Sequence, residues 1–436
     1  MQTSSGPAMI HDMRTRQGVA TFDALQKHRR VADASIQSAV VSIVEGVRTG
    51  GDAALFDFAH RFDGVSLTPR TVRLDPLTFK KRGAGVPVPL RKSIREAARR
   101  IREYHRHQGR RPYTIRTPEG VLSQIVTPLR RVGIYVPGGH TVYPSTVLMN
   151  AIPARLAGVR DIVAVTPCRG GELDPLLAFV FDLLSIREVY ATGGAHAIAA
   201  LAFGTPSIPR VDKIAGPGNA WVAAAKRLVF GDVDIDMIAG PSDVAILADA
   251  QASPRLIALD MLAQAEHGSG DESAVCITWS ARLARSAAAA VTKEVQNSPC
   301  ADLFAALKPG ALSVCMVKDK RAAFDLANTL APEHLQIMTQ TARKDLALVE
   351  NAGAVFVGEH SPVAAGDYFV GTNHVLPTGG CARFASGLGV DDFQKRISVA
   401  QLSARGVRAC AGHVSCFARA EGFVHHALSM EQRVHP

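Results

Sequence analysis

Gln264 and His267 lie three residues apart near the end of a predicted helix over residues 253–268. Ser253 suits the N-cap position and Pro254 the first helical position. The three-residue spacing puts the amide and the imidazole on one helix face, where both side chains suit a metal ion. A histidine at a helix end also commonly satisfies the last carbonyls, and from this segment alone the capped helix end is the favoured interpretation.

Glu333 and His334 form a second candidate cluster directly after Pro332. An adjacent acid and imidazole suit a carboxylate that activates water and a base that moves a proton. The pair is also typical of a surface helix start, where a glutamate favours the positive end of the helix dipole. Both interpretations stay open at this point.

Two further segments carry candidate groups near the C-terminus. Asp367 and His374 lie in a glycine-rich loop, which is a common place for functional residues and for ordinary turns. Glu421 is followed by His425 and His426, and two consecutive histidines on a helix cannot face the same way. At most one of these histidines is therefore expected to bind a metal.

Several other chemistries lack support. The chain contains no GxSxG elbow and no HExxH motif, which argues against a serine hydrolase and a zinc peptidase. Its seven cysteines are scattered without a CxxC pair, which predicts free thiols in a reducing compartment. Cytoplasm is the expected location.

The elements that must position these residues follow an α/β pattern. From about residue 130, short apolar runs alternate with glycine turns and helices, which predicts βαβ units and a parallel sheet. Glycine turns at helix N-termini suit phosphate, although no GxGxxG fingerprint occurs. The strands of this region are predicted at 132–136, 161–165, 188–191 and 212–215. A second α/β region has predicted strands at 244–247, 274–277, 313–316 and 354–357.

The expected fold class is α/β, with two Rossmann-like parallel-sheet domains, one inserted in the other, and small helical segments at both ends. Residues 1–29 form the N-terminal helical segment, and residues 30–129 with 242–384 form the larger domain. Residues 130–241 form the inserted domain. Residues 385–436 form a C-terminal helical segment, mainly helical from Asp391 onward.

The formal charge of +10 comes largely from residues 80–131, including a basic helix predicted at 90–108. Such a helix is compatible with nucleic acid binding, with a field that attracts an anionic cofactor, or with a solvated face. No nucleic-acid motif accompanies the charge, so the solvated face is favoured and no nucleic acid partner is expected. No apolar stretch approaches the roughly 20 residues that span a bilayer, so no membrane association is expected.

Taken together and in order, these segments resemble the histidinol dehydrogenase family, over essentially the whole chain from about residue 30. The stretch most diagnostic of the family is similar to residues 235–243 followed by Gln264–His267. The other matching segments are 132–139, 144–153, 216–219, 331–335, 373–378 and Glu421–Gly422 with His426.

The resemblance implies a zinc- and NAD-dependent enzyme that oxidises L-histidinol to L-histidine, as a homodimer with shared sites. One zinc per subunit would be held by Gln264, His267 and Asp367 of one subunit and His426 of the other. His334 would act as the general base and Glu333 would activate water. The substrate would be bound by Ser242, Gln264, His267, His334, Asp367, His374, Glu421 and His426.

The resemblance also assigns NAD contacts to Tyr135, His196 and Asn219. His196 stands where the family usually has glutamine, which puts cofactor affinity or its pH dependence in question. Asp243 replaces a usual glutamate, which shortens a side chain next to Ser242 and puts a supporting hydrogen bond in question.

Three alternatives remain at this stage. The nearest is a zinc and NAD dehydrogenase of the same fold that acts on another small alcohol, such as a sulfonated diol. A basic nucleic-acid-binding protein and a zinc hydrolase rank lower, because the first leaves the ligand set unexplained and the second needs no NAD pocket.

Overall fold

The computed structural model describes residues 8–28, 34–138, 142–168, 172–238, 240–268 and 270–434. The N-terminal part contains a strand, β1 (Ala8–Asp12), as well as a helix, α1 (Arg16–His28). The expectation of a purely helical segment is therefore incomplete. β1 completes the edge of a parallel sheet by pairing with residues 312–316, a long-range contact that no local pattern signals.

The next part is helical and then forms two antiparallel strands. Its elements are α2 (Ala34–Phe58), α3 (Phe79–Gly83), α4 (Val88–His105), β2 (Tyr113–Arg116) and β3 (Gly120–Pro128). A non-helical residue, Gly51 (φ 56°), interrupts α2. On α4, the predicted basic helix, Arg99 and Arg100 both bind Glu96, so part of the positive charge is neutralised on an exposed face.

The inserted region forms a five-stranded parallel sheet. Its strands are β4 (Arg131–Tyr135), β5 (Asp161–Val165), β6 (Glu188–Tyr190), β7 (Lys213–Ala215) and β8 (Asp234–Ile235). The helices between them are α5 (Pro144–Ala157), α6 (Pro175–Leu183), α7 (Gly194–Phe203) and α8 (Ala220–Val229). The spatial order is β6-β5-β4-β7-β8, which confirms the predicted βαβ units.

The helices of residues 34–105 pack on this five-stranded sheet. Val47 of α2, Phe79 of α3 and Ile101 of α4 belong to the same buried apolar cluster as Ile134 of β4. This differs from the expected domain division, which placed residues 30–129 with residues 242–384. Apolar periodicity shows which face of a helix is buried but not which sheet covers it.

The second parallel sheet has six strands in the order β1-β11-β10-β9-β12-β13. The new strands are β9 (Asp243–Ala248), β10 (Ser273–Thr278), β11 (Leu312–Met316), β12 (His334–Met338) and β13 (Ala354–Val357). The helices in this region are α9 (Pro254–Ala265), α10 (Ala281–Gln296), α11 (Ala301–Ala305), α12 (Lys320–Leu330), α13 (Ala342–Asp345) and α14 (Val363–Ala365).

Alternate residues of β9 face opposite layers of this second domain. Val244 and Ile246 pack with the cluster of α9 and α10, while Ala245 and Leu247 pack with the cluster of α12. Burial on both faces is expected for a parallel sheet covered by helices, and it explains the continuous apolar runs of its strands.

The C-terminal part consists of β14 (Gln394–Leu402), α15 (Ala404–Ala420) and α16 (Val424–Val434). The prediction of helix from Asp391 is wrong for residues 394–402, which pair antiparallel with all of β3. Most of β14 is exposed, so backbone pairing forms the strand without a buried face that the sequence pattern would reveal. Among the described residues, no helix is long and apolar enough to cross a bilayer.

Candidate active site

Glu333 and His334 lie at the amino end of strand β12, between β9 and the edge strand β13, and both are buried. Ala331 ends α12 in the left-handed region (φ 47°), and Pro332 then leads the chain into the strand. A non-glycine residue with positive φ is uncommon and costs conformational energy, so the surrounding fold must impose this turn. The surface helix start considered for this pair is therefore wrong.

Glu333 and Asp243 exchange two hydrogen bonds across the neighbouring strands β12 and β9. The amide of Glu333 donates to Asp243 Oδ1 (2.8 Å), and the amide of Asp243 donates to Glu333 Oε2 (3.0 Å). Asp243, although shorter than the glutamate that it replaces, thus reaches the backbone amide of Glu333. Ser242, the preceding residue, hydrogen-bonds the Glu333 carboxyl through its side chain.

The surroundings shift the proton affinities of both groups. Burial raises the pKa of Glu333 to about 7, against the opposing effect of His334. Burial lowers the pKa of His334, but the charges of Glu333 and Asp367 outweigh that effect and raise the pKa to about 9. A carboxyl whose pKa is raised to near neutrality, beside an imidazole, suits acid–base chemistry.

Gln264 and His267 lie at the C-terminal end of α9, which begins as predicted with a Ser253 N-cap and Pro254. His267 Nδ1 lies 3.0 Å from the carbonyl oxygen of Gln264, so His267 does cap the helix end. That bond fixes Nδ1 as the protonated nitrogen and leaves Nε2 with a lone pair. The capping and metal-binding interpretations are therefore compatible. Gln264 is buried, and its Nε2 has no hydrogen-bond partner among the described residues.

Asp367 and His374 come from the loop after α14 and approach the same cluster. Asp367 Oδ1 lies 3.7 Å from His334 Nε2, and His374 Nδ1 lies 3.2 Å from the Asp367 carbonyl oxygen. Burial raises the pKa of Asp367, but His334, His374 and His267 more than offset it, so the pKa is lowered overall. Burial lowers the pKa of His374. These effects show that four predicted site residues lie close together.

Glu421 and His426 lie outside this cluster. Glu421 ends α15 and His426 lies on α16, and both are exposed. Within the described ranges, no hydrogen bond or ion pair joins either residue to the cluster, and the His426 ring contacts Phe423 (5.2 Å between centroids). In the same ranges, no group of three or more His, Cys, Asp and Glu residues is arranged to hold a metal. Of the predicted ligands in one chain, only His267 and Asp367 are of these four residue types, since Gln264 is an amide and His426 would come from the partner subunit.

A separate cleft of about 420 Å³ lies at the carboxyl end of the five-stranded sheet, and it is lined by Tyr135, His196 and Asn219. The strand order reverses between β4 and β7, and ligands of open α/β sheets bind at such a point. Tyr135 ends β4. The Asn219 side chain caps α8 by accepting from the amides of Trp221 and Val222 (both 3.1 Å).

His196 is buried in this cleft, with Nε2 3.3 Å from Asp63 Oδ2. Asp63, in a π-helical turn after α2, also lines the cleft, and no sequence motif points to this residue. Tyr135 accepts a hydrogen bond from the amide of Gly194 (3.2 Å), and burial raises its pKa to about 12. The residue that replaces the usual glutamine is thus held beside a carboxylate.

These features define an α/β protein with two parallel sheets, with a cleft at one and a buried carboxylate–imidazole cluster at the other. The family model described as histidinol dehydrogenase matches residues 26–434. Histidinol dehydrogenase from Carboxydothermus hydrogenoformans is 43% identical over 93% of this chain and 96% of its own length. The corresponding protein from Gluconobacter oxydans is 43% identical over 95% of this chain and 96% of its own length.

The crystal structure of histidinol dehydrogenase from Elizabethkingia anophelis superposes with a TM-score of 0.91 at 32% identity, covering 99% of both chains. The chain belongs to the histidinol dehydrogenase family. It is therefore an oxidoreductase that acts on an alcohol or aldehyde, in a step of histidine biosynthesis.

Proposed function

We propose that this chain oxidises L-histidinol through L-histidinaldehyde to L-histidine, with zinc and NAD, as a homodimer with shared active sites. The observation that carries the proposal is that Asp367 and His267 lie close to the Glu333–His334 pair. Asp367 Oδ1 is 3.7 Å from His334 Nε2, and the charge of His267 helps to lower the pKa of Asp367.

The donor set of the cluster fits zinc. An imidazole with an Nε2 lone pair, a carboxylate with lowered pKa and the oxygen of a buried side-chain amide are acceptable nitrogen and oxygen ligands. Gln264, His267 and Asp367 would hold the ion together with His426 of the partner subunit. When bound, zinc supplies a template that orients the substrate.

The chain's own residues would carry the proton steps. In its neutral form, His334 would take the hydroxyl proton of histidinol at Nε2, which has no hydrogen-bond partner among the described residues. Glu333, whose pKa is raised to about 7, would take a proton from the water that adds to the aldehyde. Ser242 and His374 would line the substrate, and the partner's Glu421 would pair with its ammonium group. NAD supplies the acceptor for the hydride at each oxidation.

The cleft on the five-stranded sheet is the proposed NAD site, with Tyr135, His196 and Asn219 as contacts. The glycine turns at its helix N-termini present amides to phosphate, as the sequence predicts. All seven cysteines are free, which supports a reducing compartment, and we propose that the protein works in the cytoplasm.

The homodimer is supported by apolar surface on the C-terminal part and the small antiparallel sheet. Large side chains there remain exposed in one chain, and contiguous apolar patches mark interfaces. The exposed apolar residues, each with its exposed fraction, include Ile115 (51%), Leu402 (44%), Phe417 (69%), Phe423 (53%) and Val424 (48%).

Metal content tests the ligand assignment without depending on activity. We expect purified His267→Ala protein to lose most of its zinc, because one of four ligands is removed. His425→Ala is the matched control, since this exposed neighbour of His426 is not a proposed ligand and should keep full zinc. Full zinc occupancy in His267→Ala would refute the proposed ligand set.

A further inference from the structure

Lys226 of α8 and Asp236, directly after β8, form an ion pair beneath the proposed NAD cleft. Their side chains are only 2% and 0% exposed. Removing two charges from water is costly, and an apolar pair of similar volume is often equally stable. The ion pair therefore needs a reason other than stability.

The partners of this pair point to that reason. Asp236 Oδ2 accepts the amide of Gly216 (2.7 Å), and Lys226 Nζ donates to the carbonyl oxygen of Gly216 (3.0 Å). The ion pair thus hydrogen-bonds both the amide and the carbonyl group of Gly216, the first residue of the turn Gly216–Asn219. Asp236 Oδ1 also accepts the amide of Met237 (2.6 Å), which fixes the chain as it leaves the sheet.

The backbone conformation and the surroundings of Gly216 leave no space for a side chain. Its φ is +112°, and a Cβ atom there would lie 2.2 Å from the carbonyl oxygen of Tyr135. The turn therefore packs directly on the end of β4, between Tyr135 and Asn219, which both line the cleft. A shift of Gly216 would move the N-terminus of α8 relative to the end of β4.

We propose that Lys226 and Asp236 are positioning residues for the cofactor, which hold the Gly216–Asn219 turn in the shape that receives NAD. This inference rests on the proposed NAD site and adds two residues that act through the turn without contacting the cofactor. Charged partners suit this role because the hydrogen bonds of ionised groups are stronger and more directional than those of neutral groups.

The chain offers a matched control on the neighbouring strands β7 and β8. Lys213 of β7 is also buried, and its Nζ lies 2.8 Å from Asp234 Oδ2 of β8, but no hydrogen bond joins this pair to the turn. Lys226→Met and Lys213→Met therefore each remove one buried ammonium group. Only Lys226→Met also removes a hydrogen bond to the carbonyl oxygen of Gly216.

NADH binding can be measured without turnover, because Trp221 lines the cleft and Trp279 is the only other tryptophan. In a Trp279→Phe background, energy transfer from Trp221 to NADH gives the dissociation constant. We expect Lys226→Met to raise the Kd for NADH and the KM for NAD about ten-fold or more. The KM for L-histidinol should be unchanged, and Lys213→Met should leave all three constants at parent values.

The KM comparison separates positioning from a loss of stability. Fewer folded molecules lower kcat but leave both KM values unchanged. Lys226→Gln is a milder variant that still folds if the methionine variant does not, because its shorter amide keeps one donor, and we expect an intermediate rise in Kd. Parent-like Kd values for NADH in the Lys226 variants would overturn the inference while leaving the proposed function intact. Absence of NADH binding by the parent protein would overturn both.

Discussion

At the scale of single residues, the site depends on how Glu333 is held. Its backbone amide and its carboxylate both bond Asp243, so the carboxylate is fixed at the end of β12 while burial raises its pKa to about 7. The sequence identified Glu333 and His334 from their types and from the family resemblance. It did not reveal their partner, because the contact joins residues 90 positions apart.

Replacing Glu333 with glutamine tests its role as the base that activates water. The amide oxygen still accepts the Asp243 amide, so the fold and zinc content should be preserved. We expect oxidation of L-histidinaldehyde to fall by about 10²–10⁴-fold, as is usual for loss of a general base. Rates measured with the aldehyde as substrate check this, with Glu350→Gln, an exposed glutamate, as control. Normal aldehyde oxidation by Glu333→Gln would exclude the assignment.

At the scale of elements, the two candidate sites lie at opposite ends of the strands of their sheets. The proposed NAD cleft is at the carboxyl end of its strands, as expected for an open α/β sheet. The carboxylate–imidazole cluster is at the amino ends of β9 and β12. Four of the five strands of the inserted domain were predicted, because strand, glycine turn and helix repeat at short spacing; the two-residue strand β8 was not. β12 and β14 were not, since β12 follows a Pro-Glu-His segment and β14 has no buried face.

The strand ends of the inserted sheet carry an ion pair whose contribution depends on pH. Arg131 of β4 binds Glu188 of β6 through both carboxylate oxygens (3.2 and 2.6 Å), and both side chains are largely buried. The hydrogen bond from Arg131 holds the pKa of Glu188 below its usual value. Because the folded pKa is lowered, the stabilisation is complete above the unfolded pKa and is lost as pH falls through the folded pKa.

We therefore expect Glu188→Gln to lower the free energy of unfolding by about 1–2 kcal/mol at pH 7. The difference from the parent should shrink as the pH is lowered below about 4.3, the usual pKa of glutamate. Urea unfolding at several pH values measures this. Asp57→Asn, which breaks an exposed pair with Arg61, should change little at any pH. A pH-independent loss in Glu188→Gln would contradict the electrostatic explanation.

At the scale of the whole molecule, the proposed function needs active sites that combine residues of two chains. His267 and Asp367 lie close together within one chain, whereas Glu421 and His426 lie exposed on the α15–α16 hairpin. The family resemblance assigned these two residues to the partner subunit. Composition and periodicity gave no such information, because a hairpin that serves another chain has the same local pattern as any surface hairpin.

Complementation between two inactive variants tests the sharing of sites. In a mixed dimer of His267→Ala and His426→Ala chains, one site lacks both ligands and the other is intact. After subunit exchange, we expect roughly a quarter of parent activity, because half of the dimers are mixed and each has one working site. Each variant alone should stay inactive. No recovery in dimers shown to be mixed would place both ligands in the same chain.

The proposed reaction is a zinc-dependent, four-electron oxidation of L-histidinol. Its most direct test is the amount of NADH formed when purified, zinc-loaded protein receives limiting L-histidinol and excess NAD, with the product identified. We expect about two NADH per histidinol, L-histidine as product and loss of activity on chelation. One NADH with accumulation of the aldehyde, or no NADH with histidinol but turnover of another small alcohol such as a sulfonated diol, would contradict the account.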